Sequence, residues 1–317
     1  VVSGTGMYAL IRRTGGTTHG AIVGATVFVF SWFLTYTVYY QTYLNNFLSY
    51  ALMPWGGLLF IQAIGTGSRS ALLGAAGIVF ISISSNAQVS IRLLLFCVPF
   101  AYVETVLCRG GHWRKWFEYS AWIVLLALFW SAFLVYPALM LRDEVLHLVR
   151  DNPPVRPWDV LFGIPLLGFN FAWVRLWGDG FLSSEIMAKV VHTDYIGLSS
   201  LGIALLGLGI WRRERRVLRL GLLLAGYWVL YFLVVPQFKA SAWVGIVHNW
   251  AVLPTLVIAL LCPYGYEWLA KRLGRRISVL ILCGVVVMDL GSVSYFLNRL
   301  AITHQPLAEL PEVGVWS

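Results

Sequence analysis

The acidic residues of this 317-residue chain are unevenly spread, and that unevenness is where chemistry could sit. Seven of the 14 fall between Arg142 and Asp194: Asp143, Glu144, Asp151, Asp159, Asp179, Glu185 and Asp194. His147, His192, Arg150, Arg156, Arg175 and Lys189 share the segment. A carboxylate can take a proton from an attacking hydroxyl, and an imidazole or phenol can orient it. Asp179, Glu185 and Asp194 are therefore the candidate catalytic carboxylates, with His192, Tyr195 and His248 as supporting hydrogen-bond partners. A cation can hold a phosphate, an Arg through two parallel bonds and a Lys as a point charge. Arg175 and Lys239 are the candidates for that task, Lys239 being the lone charge in Pro236-Gln237-Phe238-Lys239-Ala240. The competing reading is that the acids solvate a loop and that both cations reach to lipid phosphates. No spacing marks a metal site and no cofactor is specified, although a divalent cation could join the carboxylates.

The elements that must position these residues are membrane helices. Hydrophobic residues make up 59% of the chain and charged residues 12%, with a mean hydropathy of +0.76. An ordinary soluble domain carries about 25% charged residues. So little polar surface cannot cover a water-soluble globule, and it also excludes disordered, collagen-like and disulfide-rich secreted chains. Cys97, Cys108, Cys262 and Cys283 lie in or beside apolar runs without metal-ligand spacing and read as reduced packing residues. Walker A, H-E-x-x-H and G-x-S-x-G motifs are missing.

Apolar runs of spanning length predict nine spans: Gly20–Leu44, Leu48–Ile64, Ala71–Ser85, Ile91–Leu107, Tyr119–Leu141, Tyr195–Trp211, Val217–Phe238, Val247–Leu269 and Ile277–Leu297. Alternate loops then hold Arg12 and Arg13; Arg69; Arg109, Arg114 and Lys115; Arg212, Arg213, Arg215, Arg216 and Arg219; and Lys271, Arg272, Arg275 and Arg276, which is 15 of the 23 basic residues. Such asymmetry marks the cytoplasmic side. The interrupted run Trp158–Trp177 would reverse every later loop if it crossed, so it is expected to lie at the outer interface. The predicted fold is all-α: a polytopic bundle of about nine spans, N-terminus inside, with one long extracytoplasmic loop. It divides into residues 1–141, a first helix group; 142–194, the outer loop with interfacial helices; and 195–317, a second helix group with an outer tail.

Three ionisable residues lie within or at the edges of these spans by this reading. Glu104 sits near a cytoplasmic end and is expected to snorkel. Asp289 is deeper, with a functional role or a bond to a neighbouring helix equally open to it. His248 opens the eighth run. The basic stretch Arg212–Arg216 has anionic lipid as its default partner, and the net charge of +9 is read as facing lipid rather than nucleic acid.

Several stretches resemble a known family. Met7-Tyr8-Ala9-Leu10-Ile11-Arg12-Arg13, Ala21–Trp32 and Leu48–Pro54 are similar to the middle of large bacterial and archaeal membrane glycosyltransferases of the GT-C type, in particular the YfhO-like membrane proteins. Asp194-Tyr195-Ile196-Gly197-Leu198, running to Trp211-Arg212-Arg213, is a second marker. Phe238-Lys239, followed by Cys262-Pro263-Tyr264-Gly265-Tyr266-Glu267-Trp268-Leu269, is a third. Together they cover residues 7–270. The resemblance implies an enzyme of the prokaryotic cytoplasmic membrane and cell envelope that takes a sugar from a polyprenyl-phosphate donor on the extracytoplasmic face. It also implies that the family's main catalytic carboxylate would precede Val1, and that Lys239 stands where the family carries Arg. The alternatives from other classes are a non-catalytic integral-membrane scaffold subunit of a larger complex and, third, a transporter or flippase.

Overall fold

The computed structural model describes residues 1–31, 44–85, 87–140, 197–210, 212, 214–237 and 250–303. Every regular element among them is helical. In chain order they are α1 (Val2–Arg13), α2 (Thr18–Phe30), α3 (Leu44–Thr66), α4 (Arg69–Ser85), α5 (Ala87–Tyr102), α6 (Trp113–Met140), α7 (Leu198–Leu208), α8 (Arg215–Val229), α9 (Val252–Leu273) and α10 (Arg275–Thr303). Helix α5 continues through a π-helical turn, Val103–Cys108, and α8 through another, Leu230–Val234. Hairpins are tight where glycine adopts positive φ, as at Gly67 between α3 and α4 and at Gly274 between α9 and α10.

Among the described residues five segments are long and apolar enough to cross a membrane: Leu48–Thr66, Gln88–Cys108, Trp113–Phe133, Arg215–Val234 and Val252–Leu273. They match five of the nine expected runs. Thr18–Phe30, Arg69–Ser85 and Ser199–Leu208 are shorter apolar helices. The expected loop 142–194 and the run Trp158–Trp177 lie outside the described residues. Helix α1 is an addition to the sequence reading, which took Met7–Arg13 only as a marker. Met7, Leu10 and Ile11 are buried, and Trp55 Nε1 of α3 donates to the Val2 carbonyl at 2.9 Å.

The basic loops meet at one end of the bundle. Arg109 donates to the Arg13 carbonyl at 3.2 Å, and Thr17 donates to Glu267. Arg216 Nη1 lies beside Gly15, Lys115 Nζ beside Gly67, and Tyr266 Oη reaches the Arg275 carbonyl at 3.3 Å. All the basic loops read from the sequence are thus drawn into one layer, here termed the basic end. At the opposite, far end α6 stops and α7 starts, and α8 stops and α9 starts.

Burial divides the helices sharply. Helix α9 is buried almost all round, packed by α2, α7, α8 and α10. Helix α6 instead exposes Trp122, Leu125, Phe129, Phe133 and Tyr136 at three- and four-residue spacing. A continuous exposed stripe of large apolar side chains is what a lipid-facing helix presents. Ile277, Leu280, Ile281 and Met288 do the same on α10.

Candidate functional site

The candidates from the sequence, Asp179, Glu185, Asp194, Arg175, Lys239, His192, Tyr195 and His248, all lie outside the described residues. What the structure adds is a buried polar cluster at the far end of the bundle. Arg92 of α5 is fully buried, as is Tyr50 of α3. Arg92 Nη1 donates to Tyr50 Oη at 2.5 Å. Its guanidinium carbon also lies 5.5 Å from the ring centroid of Trp250, just before α9 starts. The guanidinium therefore has a hydroxyl acceptor and a π-face, the two contacts that a desolvated arginine uses most effectively. Tyr50, Arg92 and Trp250 each make further contacts.

The depth of this cluster follows from helix geometry. Arg92 is five residues into α5, about 8 Å from its start at the helical rise of 1.5 Å per residue. Tyr50 is similarly placed in α3, and Trp250 lies two residues after His248. The cluster ties the far ends of α3 and α5 to the entrance of α9. Its fixed positive charge sits in surroundings of low dielectric, where its field on an approaching anion is screened less than in water.

Sequence reading missed Arg92, although it is the second residue of the expected span Ile91–Leu107. A signal was there. The basic loops counted in the charge pattern meet at the other end, so an arginine at the far end of a span breaks that pattern and calls for a local partner. Tyr50 could not be matched to it from spacing, because the two are joined only across the α3–α5 contact.

Two other ionisable residues resolve differently from expectation. Glu104 does not snorkel. It is fully buried, and both carboxylate oxygens accept from Arg216, Oε1 from Nε at 2.8 Å and Oε2 from Nη2. The reason is that the π-helical turn carrying Glu104 is covered by the start of α8. Part of the basic run therefore turns inward: Arg216 is engaged by Glu104, and Arg219 donates to the Leu107 carbonyl. Asp289 takes the second of its two expected roles. Its Oδ2 accepts from Ser199 N at 2.8 Å, in the first turn of α7. A carboxylate there answers an unpaired amide and the positive end of the helix.

The described residues of the third sequence marker, in Cys262–Leu269, have packing roles. Pro263 faces Gly20, Gly265 faces Gly207 and Ile203, and Glu267 accepts from Thr17. All four cysteines are unbridged, as expected. Among the described residues no cluster of His, Cys, Asp and Glu could hold a metal ion. No family model, no curated protein and no solved structure matches this chain.

Proposed function

We propose that this chain is the membrane portion of a GT-C-like glycosyltransferase that moves a sugar from a polyprenyl-phosphate donor at the far end of the bundle. The observation that carries the reading is the gathering of the basic loops at the opposite end. Basic loops face the cytoplasm, so the N-terminus is inside and the far end is extracytoplasmic. With nine spans, the 142–194 loop and the Lys239 hairpin then share that outer face. A lipid-linked phosphate must rest at the boundary of hydrocarbon and water, because its charge enters the core only at high cost. Lys239 and Arg175 are the cations assigned to it. Asp179, Glu185 and Asp194 serve the acceptor hydroxyl or a divalent cation, with His192, Tyr195 and His248 in support. The Arg92 cluster supports this reading by fixing the entrance of α9, which follows the Lys239 hairpin.

A second reading, a scaffold subunit, draws on another observation. Glu104, Arg216, Arg219 and Asp289 each use a hydrogen bond to join helices.

The test has two arms. Cysteines placed at Ser183 and Gly274 are expected to label from opposite sides of the membrane, and labelling from one side removes the topology. Lys239→Ala in the full-length protein is expected to lower transfer from a polyprenyl-phosphate sugar by about two orders of magnitude, the scale of losing one charge-stabilising donor. Unchanged transfer in a folded variant removes Lys239 from the site. Absence of both transfer and donor binding in the unaltered protein favours the scaffold.

A further inference from the structure

Positive charge at the basic end is not evenly committed. On the side where α8 begins, the charge of Arg216 is matched by buried Glu104. On the side formed by the α3–α4 and α5–α6 turns, Arg69, Arg109 and Lys115 are exposed. Glu118, the acid on this side, forms no ion pair with a described residue.

The geometry on this side is that of a ledge. Gly65 and Gly67 form its floor and carry no side chain. A methyl group placed on Gly65 would lie 4.0 Å from Arg109 Nη1, and one placed on Gly67 would lie 3.9 Å from Lys115 Nζ and 3.1 Å from Tyr119 Oη. The two cations thus stand along one short glycine edge. Both are held in place: Arg109 Nη2 donates to the Arg13 carbonyl at 3.2 Å, and Lys115 Nζ lies 5.7 Å from the Tyr119 ring centroid. The guanidinium keeps Nη1 turned toward Gly65 while Nη2 anchors it.

We infer that this ledge seats the phosphodiester headgroup of an anionic phospholipid. Two cations on either side of a floor without side chains suit a compact anion with oxygens on several faces. The neighbouring surface argues for a lipid rather than an acidic peptide. Trp122, Phe129 and Phe133 follow Lys115 by seven, fourteen and eighteen residues on the same face of α6 and are 53%, 77% and 67% exposed, so an apolar stripe runs from the ledge along that helix. A headgroup on the ledge places its acyl chains along that stripe. A water-soluble partner would leave the stripe uncovered. This seat is distinct from the Arg212–Arg216 run, whose Arg216 is already paired with Glu104, and it does not depend on any activity at the far end.

The experiment is native mass spectrometry of the purified full-length chain, titrated with phosphatidylglycerol or phosphatidylcholine. The unaltered chain is expected to hold phosphatidylglycerol at least several-fold more tightly than phosphatidylcholine. R109Q/K115Q is expected to weaken phosphatidylglycerol binding by about thirtyfold, the scale of two headgroup cations. R272Q/R276Q, which removes the same charge elsewhere at the basic end, is expected to change it by less than about twofold. Gly65→Leu fills the ledge without altering charge and is expected to weaken binding as well. Equal losses in the two double variants show diffuse attraction only and overturn the seat. So does equal affinity for the two lipids, or unchanged binding in Gly65→Leu. The charge variants alter exposed side chains, so the comparison between them stands even if Gly65→Leu does not fold.

Discussion

Two seams of this bundle are built on opposite principles. Around α9, helices meet through glycine. A methyl group on Gly24 of α2 would lie 2.5 Å from the Ala259 carbonyl, and one on Gly207 of α7 would lie 2.7 Å from the Leu261 carbonyl. Gly20 and Gly24, four residues apart, set one edge of α2 directly against α9, the small-residue packing favoured in lipid. Between α5 and α8, long polar side chains bridge instead: Arg216 to Glu104, Arg219 to the Leu107 carbonyl, and Tyr227 Oη to the Leu95 carbonyl at 2.7 Å.

Proline connects the two. Pro99 lacks the amide that would bond to the Leu95 carbonyl four residues earlier, and the Tyr227 hydroxyl takes its place. Pro263 likewise deprives the Ala259 carbonyl, the one that Gly24 approaches. One orphaned carbonyl is answered by a hydroxyl and the other by the close approach of a neighbouring backbone. In hydrocarbon there is no water to satisfy either group, so each seam must deal with it internally. The same need explains Trp116 Nε1, which donates at 3.0 Å to the Val98 carbonyl beside the π-helical turn. The difference teaches that the α9 seams hold by shape and break by added volume, whereas the α5–α8 seam holds by polar pairing and breaks by its removal.

The largest effect is expected at the polar seam. Glu104→Leu strands a largely buried Arg216 and should destabilise the protein by about 3 kcal/mol, read as thermal unfolding in detergent. Glu104→Leu combined with Arg216→Met should recover most of that loss, because an apolar pair of similar volume replaces the ion pair. A double variant no better than the single one would mean the pair does not hold the seam. Next comes Gly265→Ala. Its added methyl collides with the Ile203 carbonyl, a backbone atom that cannot swing aside. About 2 kcal/mol should be lost, within the usual range for overpacking. A neutral outcome would show that α7 and α9 can part, and would erase the contrast between the seams. The smallest is Tyr227→Phe, expected to cost about 1 kcal/mol, the net worth of one hydrogen bond. Restoring an amide donor with Pro99→Ala should reduce that cost, and an undiminished cost would separate Tyr227 from the orphaned carbonyl.

Composition and charge by themselves determined the helical class, the membrane setting and the grouping of basic loops. Those properties are local: an apolar run of sufficient length must be helical in lipid, and charge cannot be left within it cheaply. Glu104 and Asp289 were recognisable as residues needing an explanation, but their partners were not. Arg216 is 112 residues from Glu104 and Ser199 is 90 from Asp289. No periodicity links positions so far apart.

Only the tertiary structure decided which helices are inside. Trp113–Phe133 and Val252–Leu273 have the same mean hydropathy, yet 22% of one and 78% of the other is buried. Lipid and protein interior are equally apolar, so hydropathy cannot tell a helix that faces one from a helix that faces the other. The choice falls to glycines that admit a neighbouring backbone, as around α9, and to polar side chains that need a partner. Arg92, Tyr50 and Trp250 make the same point at the far end. Arg92 stands out in its own apolar run, but Tyr50 and Trp250 do not, and the three become one cluster only when α3, α5 and α9 pack.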